Sequence, residues 1–284
     1  MDTSKNLPDR GAWEADKNAN LLLELVEGIQ DHGIKKDVDI AFAHEYIEEA
    51  KEIARNYGRF QGLSLGYSSL DNLTGSFLPG ELFVIGGGTG HGKSLFAQNI
   101  AYKVYKQTGS AVLFVTLEMT KEQTLSRVLK IAGDDDVAGI LFQKQSSVEP
   151  RDIPVLMSKA KEWDCILVVI DHLHFFPRTS DKVRNEISRI TKLFKESAVE
   201  HKLPVILLSH INRTLEKGEK PDLQHLKESG SIEQDADMVG FVYRDKKETP
   251  DTMEFYMRKN RSRKLIYDSI FFRQNVWNLE EVHE

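Results

Sequence analysis

Residues 87–94 read Gly-Gly-Thr-Gly-His-Gly-Lys-Ser, a complete phosphate-loop pattern of the form G-x-x-x-x-G-K-S. An apolar run at 81–86 precedes the pattern and a helical stretch from Lys93 follows it, so the loop joins a predicted strand to a predicted helix. Glycines allow backbone N–H groups to close around phosphate oxygens, and the helix N-terminus adds partial positive charge. The sequence therefore predicts an α/β domain that binds a nucleoside triphosphate.

The loop also assigns roles to its last two residues. Lys93 is expected to reach the β- and γ-phosphates of ATP, and the Ser94 hydroxyl is expected to ligate Mg²⁺. The residues predicted to contact the nucleotide are Gly87, Gly88, Thr89, Gly90, His91, Gly92, Lys93, Ser94 and Leu95. The alternative is a glycine-rich turn that binds nothing, and the complete spacing together with the flanking elements weighs against it.

Composition is that of an ordinary globular protein. The chain has 284 residues, of which 40% are hydrophobic and 29% charged, which suits one large domain with a short appendage. No apolar stretch approaches the roughly 20 residues of a membrane span, and no signal-peptide pattern opens the chain. The single cysteine, Cys165, cannot form an internal disulfide and is expected to pack inertly in the core. A cytoplasmic setting is therefore predicted.

The charge is distributed unevenly. The net charge is −6, with −5 carried by residues 1–60 and −1 by the rest of the chain. This balance argues against a protein coated in basic surface. Any binding of nucleic acid would depend on local basic loops rather than on a global positive field.

Two parts of the chain differ in pattern. Residues 1–60 contain two short amphipathic stretches, at 20–29 and at 40–57, and form a helical N-terminal extension. The apolar stripe on helix 40–57 must pack against something, either the chain's own larger domain or a neighbouring subunit. Residues 61–284 form the second domain.

That second domain alternates strands and helices. Strands are predicted at 81–86, 111–117, 165–170 and 204–209, and helices at 93–107, 121–132, 151–162 and 184–201. Short apolar runs rich in β-branched residues are typical of the buried strands of a mostly parallel central sheet. The stretch 239–278 alternates apolar and polar residues and indicates antiparallel strands. Ligands of such a sheet bind at the carboxyl ends of its strands.

Three predicted strands end in residues that can do chemistry. Asp171 follows the run 166–170, and its carboxylate would hold the Mg²⁺ shell opposite Ser94. Glu118 follows the second strand and could orient or deprotonate the attacking water. His210 ends the fourth strand and could sense the γ-phosphate, although a surface histidine would also suit that position.

Basic residues cluster late in the chain. The run 258–264 carries five cationic side chains, which could contact a phosphate backbone, act as an arginine finger on a neighbour's ATP, or simply be solvated. Arg213 and Lys227 lie in a polar, glycine-containing stretch after the fourth strand, which is a candidate DNA-contacting loop.

Taken in order, these segments resemble the motor domain of DnaB-type hexameric replicative helicases, a RecA-like phosphate-loop NTPase family. The resemblance rests on the segments 66–75, 79–82, 117–119, 208–213, 226–237 and 259–261, and it covers about residues 40–275. The stretch Leu226–Asp237 is the most specific, because general ATPases lack it.

The family implies roles for particular residues. Glu118 would be the catalytic base and Asp171 the Mg²⁺ carboxylate, while Arg127 matches an arginine near the adenine. Lys259 and Arg261 match a pair that reaches the γ-phosphate of a neighbouring subunit. Residues Lys227, Glu228 and Gly230 match the loop that grips single-stranded DNA in the central channel. Helix 40–57 resembles the linker helix that docks on the adjacent subunit.

Some features depart from the family. The family often has glutamine at the position of His210, and a histidine there resembles phage and mitochondrial ring helicases. The channel motif begins His225-Leu226-Lys227 instead of Asp-Leu-Arg. Lysine keeps the charge but loses bidentate phosphate geometry. The family's larger N-terminal helical domain does not fit within 60 residues, which suggests either a compact phage- or plasmid-type motor or a chain that relies on other proteins to recruit primase.

The resemblance predicts an ATP-dependent helicase that forms a ring, translocates on single-stranded DNA and unwinds forked duplex, in a bacterial or phage-infected cell. A primase and a helicase loader are expected as partners. Two alternatives remain: a RecA-like recombinase or recombination mediator, and a regulatory ATPase that binds only proteins.

Overall fold

The structure, a computed structural model, describes residues 47–48, 51, 62–75, 77–145, 147–176, 183–211, 219–226 and 229–282. The chain divides into two compact units, Met1–Tyr57 and Gly58–Glu284. In the first unit, Ile47, Glu48 and Lys51 are helical and exposed. The remainder of the helices predicted at 20–29 and 40–57 lies outside the described residues, so the packing partner of helix 40–57 stays a prediction.

The second unit has six α-helices among its described residues. They are α1 Ser68–Thr74, α2 Lys93–Thr108, α3 Lys121–Ala132, α4 Ile153–Glu162, α5 Val183–His201 and α6 Ser229–Asp235. The four helices predicted from periodicity are confirmed, with ends displaced by one or two residues. None of the helices that the structure describes has the length and apolar character needed to span a lipid bilayer.

Nine strands form one continuous sheet. They are β1 Leu82–Gly87, β2 Val112–Thr116, β3 Ile140–Phe142, β4 Leu167–Asp171, β5 Val205–His210, β6 Met238–Tyr243, β7 Thr252–Asn260, β8 Ser269–Asn275 and β9 Asn278–Val282. Their spatial order is β3-β2-β4-β5-β1-β6-β7-β8-β9. The strands from β3 to β6 are parallel and those from β6 to β9 are antiparallel, so the predicted α/β fold with a mostly parallel sheet is confirmed.

The sheet separates two hydrophobic layers. Along β1, Phe83 and Ile85 face the layer that contains α2, whereas Leu82 and Val84 face the layer that contains α4 and α5. Both faces of β1 are fully buried, which is why this strand reads as a continuous apolar run. Cys165 is buried as expected, and burial raises the pKa of its thiol to about 11, which keeps it protonated and unreactive.

The last strand of the sheet is fastened to the start of the second unit. The Tyr67 hydroxyl donates to the carbonyl oxygen of Leu279 (3.0 Å), and the Ser69 N–H donates to the carboxylate of Glu281 (2.7 Å). Tyr67 is buried, so this hydrogen bond lies within the core and fixes β9 against the N-terminal end of α1.

Candidate active site

The phosphate loop joins the end of β1 to the start of α2, as its sequence predicts. Gly90 and Gly92 have φ values of +76° and +100°, a backbone region that favours glycine. The His91 N–H donates to the carbonyl oxygen of Gly88 (3.2 Å), which curls the loop above the N-terminus of α2. This arrangement offers a helix terminus and neighbouring N–H groups to an anion. The Leu95 side chain packs in the core, so only its backbone is available to a phosphate.

Lys93 lies within the loop that it is predicted to serve. Its Nζ donates to the carbonyl oxygens of Gly87 (2.7 Å) and Gly88 (3.1 Å) and lies 3.3 Å from Nδ1 of His210. Burial lowers the pKa of Lys93 to about 8, against the opposing effect of the Asp171 and Glu118 charges. A polyphosphate would supply the negative charge that this buried ammonium lacks.

Asp171 and Ser94 form a pair suited to Mg²⁺. Asp171 is 1% exposed, and its carboxylate accepts a hydrogen bond from the Ser94 hydroxyl. Its Oδ1 is buried and has no hydrogen-bond partner among the described residues. Burial raises the pKa of Asp171 to about 6, although the Ser94 hydrogen bond opposes that rise. A hard cation takes oxygen ligands, so the unsatisfied oxygen beside a hydroxyl fits the predicted metal position.

The ends of β2, β4 and β5 bring three further groups together. These are Glu118, His172 and His210, whose donor atoms all lie within 4.8 Å of one another. Nε2 of His172 lies 3.4 Å from Oε2 of Glu118, and the His172 and His210 rings are 4.0 Å apart between centroids. The structure therefore places the predicted base and the predicted sensor side by side, next to Lys93.

His172 was not predicted from the sequence. It is 1% exposed, and burial together with the neighbouring His210, His174 and Lys93 charges holds its pKa well below the usual range. A neutral imidazole in contact with Glu118 can fix the direction of that carboxylate. The available signal was its place directly after Asp171 at a strand end.

The turn between β6 and β7 covers the phosphate loop and contributes two cations. Nζ of Lys246 donates to the carbonyl oxygen of Thr89 (2.9 Å), and the Arg244 N–H donates to Nδ1 of His91 (3.3 Å). Burial first, and then the nearby cations, lower the pKa of His91 to about 4, so it stays a neutral acceptor at neutral pH.

Arg244 is the other site residue that the sequence reasoning missed. Its Nε and Nη2 are buried without a hydrogen-bond partner among the described residues. A Cβ added to Gly92 would lie 3.4 Å from Nη2, so the guanidinium lies against the phosphate loop. A guanidinium with two buried, unsatisfied nitrogens in this place is suited to a phosphate or carboxylate ligand.

The predicted finger residues lie at the other edge of the sheet. Arg261 N–H donates to the carbonyl oxygen of Asp237 (2.8 Å), and Asp237 N–H donates to that of Leu82 (2.9 Å), at the start of β1. Lys259 Nζ donates to the carbonyl oxygen of Ala236 (2.6 Å). The length of β1, roughly 17 Å at about 3.3 Å per residue, separates these groups from the phosphate loop.

Most residues predicted to bind DNA cannot be placed. Arg213, Lys227 and Glu228 lie outside the described residues, whereas Gly230 lies in α6 and is exposed. An antiparallel bridge joins Ile211 to Leu226. Ile211 directly follows His210, and the bridge therefore brings together the two described residues that precede the segments 212–218 and 227–228.

Arg127, predicted to lie near the adenine, projects from α3. Its guanidinium carbon lies 5.1 Å from the ring centroid of Trp277, at the turn between β8 and β9. Its role near the adenine stays a prediction.

Comparison of the sequence with models of protein families identifies the family of this chain. A model described as the DnaB-like helicase C terminal domain matches residues 62–139 and 135–281. The chain belongs to this family. The match spans every strand of the DnaB-like sheet described above, including the phosphate loop and the strand that carries Lys259.

Individual DnaB-like proteins agree with that assignment. The replicative DNA helicase DnaB of Geobacillus stearothermophilus is 29% identical over 248 residues, which are 76% of this chain and 53% of the relative. A solved structure of a DnaB-like replicative helicase, described with its interactions with primase, has a TM-score of 0.72 at 23% identity, covering 94% of this chain and 74% of that one. The chain spans about half the length of the curated relatives it matches.

The fold is also shared more widely. The RadB recombinase has a TM-score of 0.57 at 19% identity and covers 78% of this chain and 100% of its own. These two structural likenesses confirm the RecA-like fold that the sequence predicts.

Proposed function

We propose that this chain is the motor of a hexameric, ATP-driven replicative DNA helicase. The observation that carries the proposal is the separation within one copy of the phosphate pocket from Lys259 and Arg261. A cation at the start of β1 cannot reach a γ-phosphate held at the end of β1. It can complete the pocket of a second copy, and a repeated head-to-tail contact of this kind forms a ring when the rotation between copies closes.

Within the pocket, the described residues divide the work. Lys93 and the loop N–H groups hold the β- and γ-phosphates, and Ser94 and Asp171 hold Mg²⁺, which would neutralise the charge that builds on the phosphates. Glu118 orients the attacking water and takes its proton, while His172 fixes the direction of the Glu118 carboxylate. Arg244 binds a phosphate oxygen from the side of β6.

Single-stranded DNA is the track that we assign to the motor. His210 lies beside Lys93 and also immediately before the Ile211–Leu226 bridge, from which both predicted DNA segments depart. Loss of the γ-phosphate would thus change the contacts of His210, which directly precedes the bridge between those segments. Forked duplex is the proposed substrate, and a primase and a loader are the proposed partners, in the cytoplasm of a bacterial or phage-infected cell.

The recombinase alternative has weaker support. It retains the shared fold, but the more similar structure is that of a DnaB-like replicative helicase, and the family match covers most of the chain. A closed ring in electron micrographs, together with unwinding of a forked duplex, would distinguish the helicase from a filament-forming recombinase.

A mixing experiment tests the shared pocket directly. Lys93→Ala removes the pocket but leaves the finger, and Arg261→Ala does the reverse, so each protein alone should be inactive. In an equal mixture, about a quarter of the seams would join an intact pocket to an intact finger, and DNA-stimulated ATPase should return to about that share of the wild-type rate.

The control is Arg258→Ala, a change in β7 three residues before Arg261. Arg258 stacks on Tyr256 of its own copy, with 4.4 Å between the guanidinium carbon and the ring centroid. This variant should keep its ATPase activity. A mixture that stays inactive although mixed rings are seen would contradict the trans arrangement.

A further inference from the structure

Three side chains with metal-binding atoms meet at the ends of neighbouring strands. Glu118 lies two residues beyond β2, His172 follows β4 directly, and His210 is the last residue of β5. These strands are consecutive in the sheet, in the order β2-β4-β5, and neighbouring strands lie about 4.8 Å apart. The donor atoms of the three side chains lie within 4.8 Å of one another. The backbone of the sheet therefore brings the three ligand atoms together.

The donor set is one that zinc prefers. Two imidazole nitrogens and one carboxylate oxygen, with an open fourth position, hold Zn²⁺ in one class of zinc enzymes. Bonds of about 2.1 Å at a tetrahedral angle place two ligand atoms about 3.4 Å apart. Nε2 of His172 lies 3.4 Å from Oε2 of Glu118, so this pair already has the spacing of two zinc ligands. A rotation of the His210 side chain would complete the site, since its donor atom lies no farther than 4.8 Å from either of them.

Magnesium does not suit the same three atoms. Mg²⁺ takes oxygen ligands in an octahedral arrangement, whereas imidazole suits zinc, copper and nickel. The position expected for Mg²⁺ is instead formed by the oxygens of Ser94 and Asp171, which are joined by a hydrogen bond. The two metals therefore differ in their ligands, and excess Mg²⁺ should not displace an ion from the two imidazoles.

Two neighbours of the cluster limit its affinity for a metal. The His174 N–H donates to Nδ1 of His172 (3.3 Å), and Nε2 of that ring faces Glu118. Because Nδ1 accepts this bond, a metal on Nε2 would move the ring proton to Nδ1 and break the bond. Nζ of Lys93 lies 3.3 Å from Nδ1 of His210, and its positive charge repels a metal ion. We therefore expect a micromolar rather than a nanomolar dissociation constant.

We propose that Glu118, His172 and His210 form an inhibitory site for a transition-metal ion of the zinc class. The inhibition rests on the proposed function, because the ion occupies the carboxylate that orients the attacking water and the imidazole that senses the γ-phosphate. The phosphates and Mg²⁺ are held by other groups, which include Ser94 and Asp171. Zn²⁺ therefore stops hydrolysis without releasing the bound nucleotide.

Metal binding is tested on the full chain without nucleotide, in excess Mg²⁺, with Co²⁺ as a spectroscopic substitute for Zn²⁺. Four-coordinate Co²⁺ absorbs strongly in the visible range, whereas hydrated six-coordinate Co²⁺ absorbs only weakly. We expect the strong spectrum to saturate at equimolar Co²⁺ and to disappear when Zn²⁺ displaces the cobalt. Weak absorption of the hydrated kind at saturation would overturn the proposal.

Variants of the three ligands show whether these side chains hold the ion. Loss of a residue that only orients a ligand costs about 10- to 100-fold in metal affinity, so loss of a ligand itself should cost at least about 100-fold. That loss is expected for His172→Ala, His210→Ala and Glu118→Gln. If the buried His172→Ala does not fold, Glu118→Gln gives the same test on a side chain that is 39% exposed. Unchanged affinity for Zn²⁺ in a folded ligand variant would overturn the site.

The matched control is a second pair of a histidine and a carboxylate. Nε2 of His225 lies 3.4 Å from Oε1 of Glu219, the distance found in the proposed site, yet no third ligand joins this pair among the described residues. His225→Ala should therefore keep the wild-type affinity for Zn²⁺. A loss equal to that in His172→Ala would overturn the assignment.

The charge of Lys93 provides a test in the opposite direction. Lys93→Ala removes the ammonium beside His210 and should strengthen Zn²⁺ binding severalfold, because a repulsion is lost while the three ligands remain. Binding that is unchanged or weaker in this variant would place the ion away from His210 and overturn the proposal.

Enzyme assays test the inhibition separately. DNA-stimulated ATPase should fall as Zn²⁺ saturates the site, and a zinc-selective chelator should restore it, while the affinity for ADP with Mg²⁺ stays unchanged. Zn²⁺ bound through the three side chains with full ATPase activity would overturn the inhibitory role. A chain without ATPase activity even in the absence of Zn²⁺ would overturn the proposed function, whereas the Co²⁺ spectrum alone decides the metal site.

Discussion

The charged groups at the carboxyl ends of the parallel strands of the DnaB-like sheet differ in burial and hydrogen bonding from those at the opposite edge, where the strands begin. At the carboxyl edge, Lys93 and Asp171 are buried and Arg244 is partly buried, and Asp171 and Arg244 keep polar atoms without a hydrogen-bond partner among the described residues. At the opposite edge, Lys259 and Arg261 donate to carbonyl oxygens at the C-terminal end of α6. About half of the Arg261 side chain (52%) remains exposed.

The carboxyl edge therefore has the character of a binding pocket, whereas the opposite edge presents cationic side chains. Buried polar groups without partners carry a cost of about 1–3 kcal/mol each, which a ligand can remove, so the carboxyl edge is suited to binding an anion and a cation. Among the described residues, neither Lys259 nor Arg261 has a buried polar atom without a partner; both are held by their own chain, and Arg261 is half exposed. Under the proposed function, one copy would therefore contribute groups to two different sites.

The largest expected effect comes from the edge that carries Arg261. Arg261→Ala should reduce DNA-stimulated ATPase by about 10³- to 10⁵-fold, as loss of an arginine finger does, while ADP affinity stays unchanged because the pocket is intact. ATPase assays and calorimetry on the same preparation measure the two quantities. Full ATPase activity in this variant would place Arg261 outside the reaction.

A smaller effect is expected from Arg244 at the pocket edge. Arg244→Ala should weaken ADP binding by about 10- to 150-fold, because a hydrogen bond to a charged group contributes about 1.5–3 kcal/mol. The neighbouring Lys247→Ala is the control, since Lys247 is exposed in the same turn. Equal affinities for the two variants would show that the Arg244 guanidinium does not reach the nucleotide.

The pocket edge should also show a bell-shaped pH dependence. Asp171, with its pKa raised to about 6, becomes protonated below that pH and loses the metal, whereas Lys93, with its pKa lowered to about 8, loses its charge above that pH. The affinity for ADP with Mg²⁺ should fall about tenfold per pH unit below 6 and decline again above 8. Calorimetry from pH 5 to pH 9 measures it.

The raised pKa of Asp171 also affects folding stability. Protonation of Asp171 at low pH lowers the affinity for ADP with Mg²⁺ but raises the stability of the fold. Because the folded pKa of Asp171 exceeds its unfolded value, this group costs stability as pH rises through about 4 to 6 in the absence of metal. Asp171→Asn should abolish both the loss of ADP affinity below pH 6 and the change in stability between about pH 4 and 6. An acid limb that persists in this variant would assign it to another group.

The smallest expected effect concerns Lys227, which is predicted to contact single-stranded DNA. Lys227→Ala should weaken single-strand binding and reduce the magnitude of its salt slope by about 0.7, the share of one phosphate contact. Fluorescence anisotropy of a labelled oligonucleotide at several salt concentrations measures this. An unaltered slope would remove Lys227 from the DNA contact.

The sequence was a reliable guide where the signal is local. The phosphate loop and the strands ending at Glu118, Asp171 and His210 follow from short patterns, and their meeting at one edge follows from the parallel order of the strands. β3 was missed because three residues give no periodicity, and α1 because seven residues hold only two turns.

The remainder depends on contacts that no local pattern encodes. The alternation at 239–278 correctly indicated antiparallel strands, but nothing in it shows that β6 also pairs in parallel with β1. That pairing is what brings Arg244 onto the phosphate loop. His172 and Arg244 become recognisable only once their burial is known, since their polar atoms matter because water cannot reach them.

The fastening of β9 to α1 has a consequence for engineering. Since Tyr67 and Ser69 bond directly to Leu279 and Glu281, the first and last described stretches of the second unit meet at one corner. A short flexible peptide could join them, and new termini could be opened elsewhere on the surface, giving a circularly permuted motor with the same sheet. In such a permutant the phosphate loop would no longer have to follow an N-terminal segment.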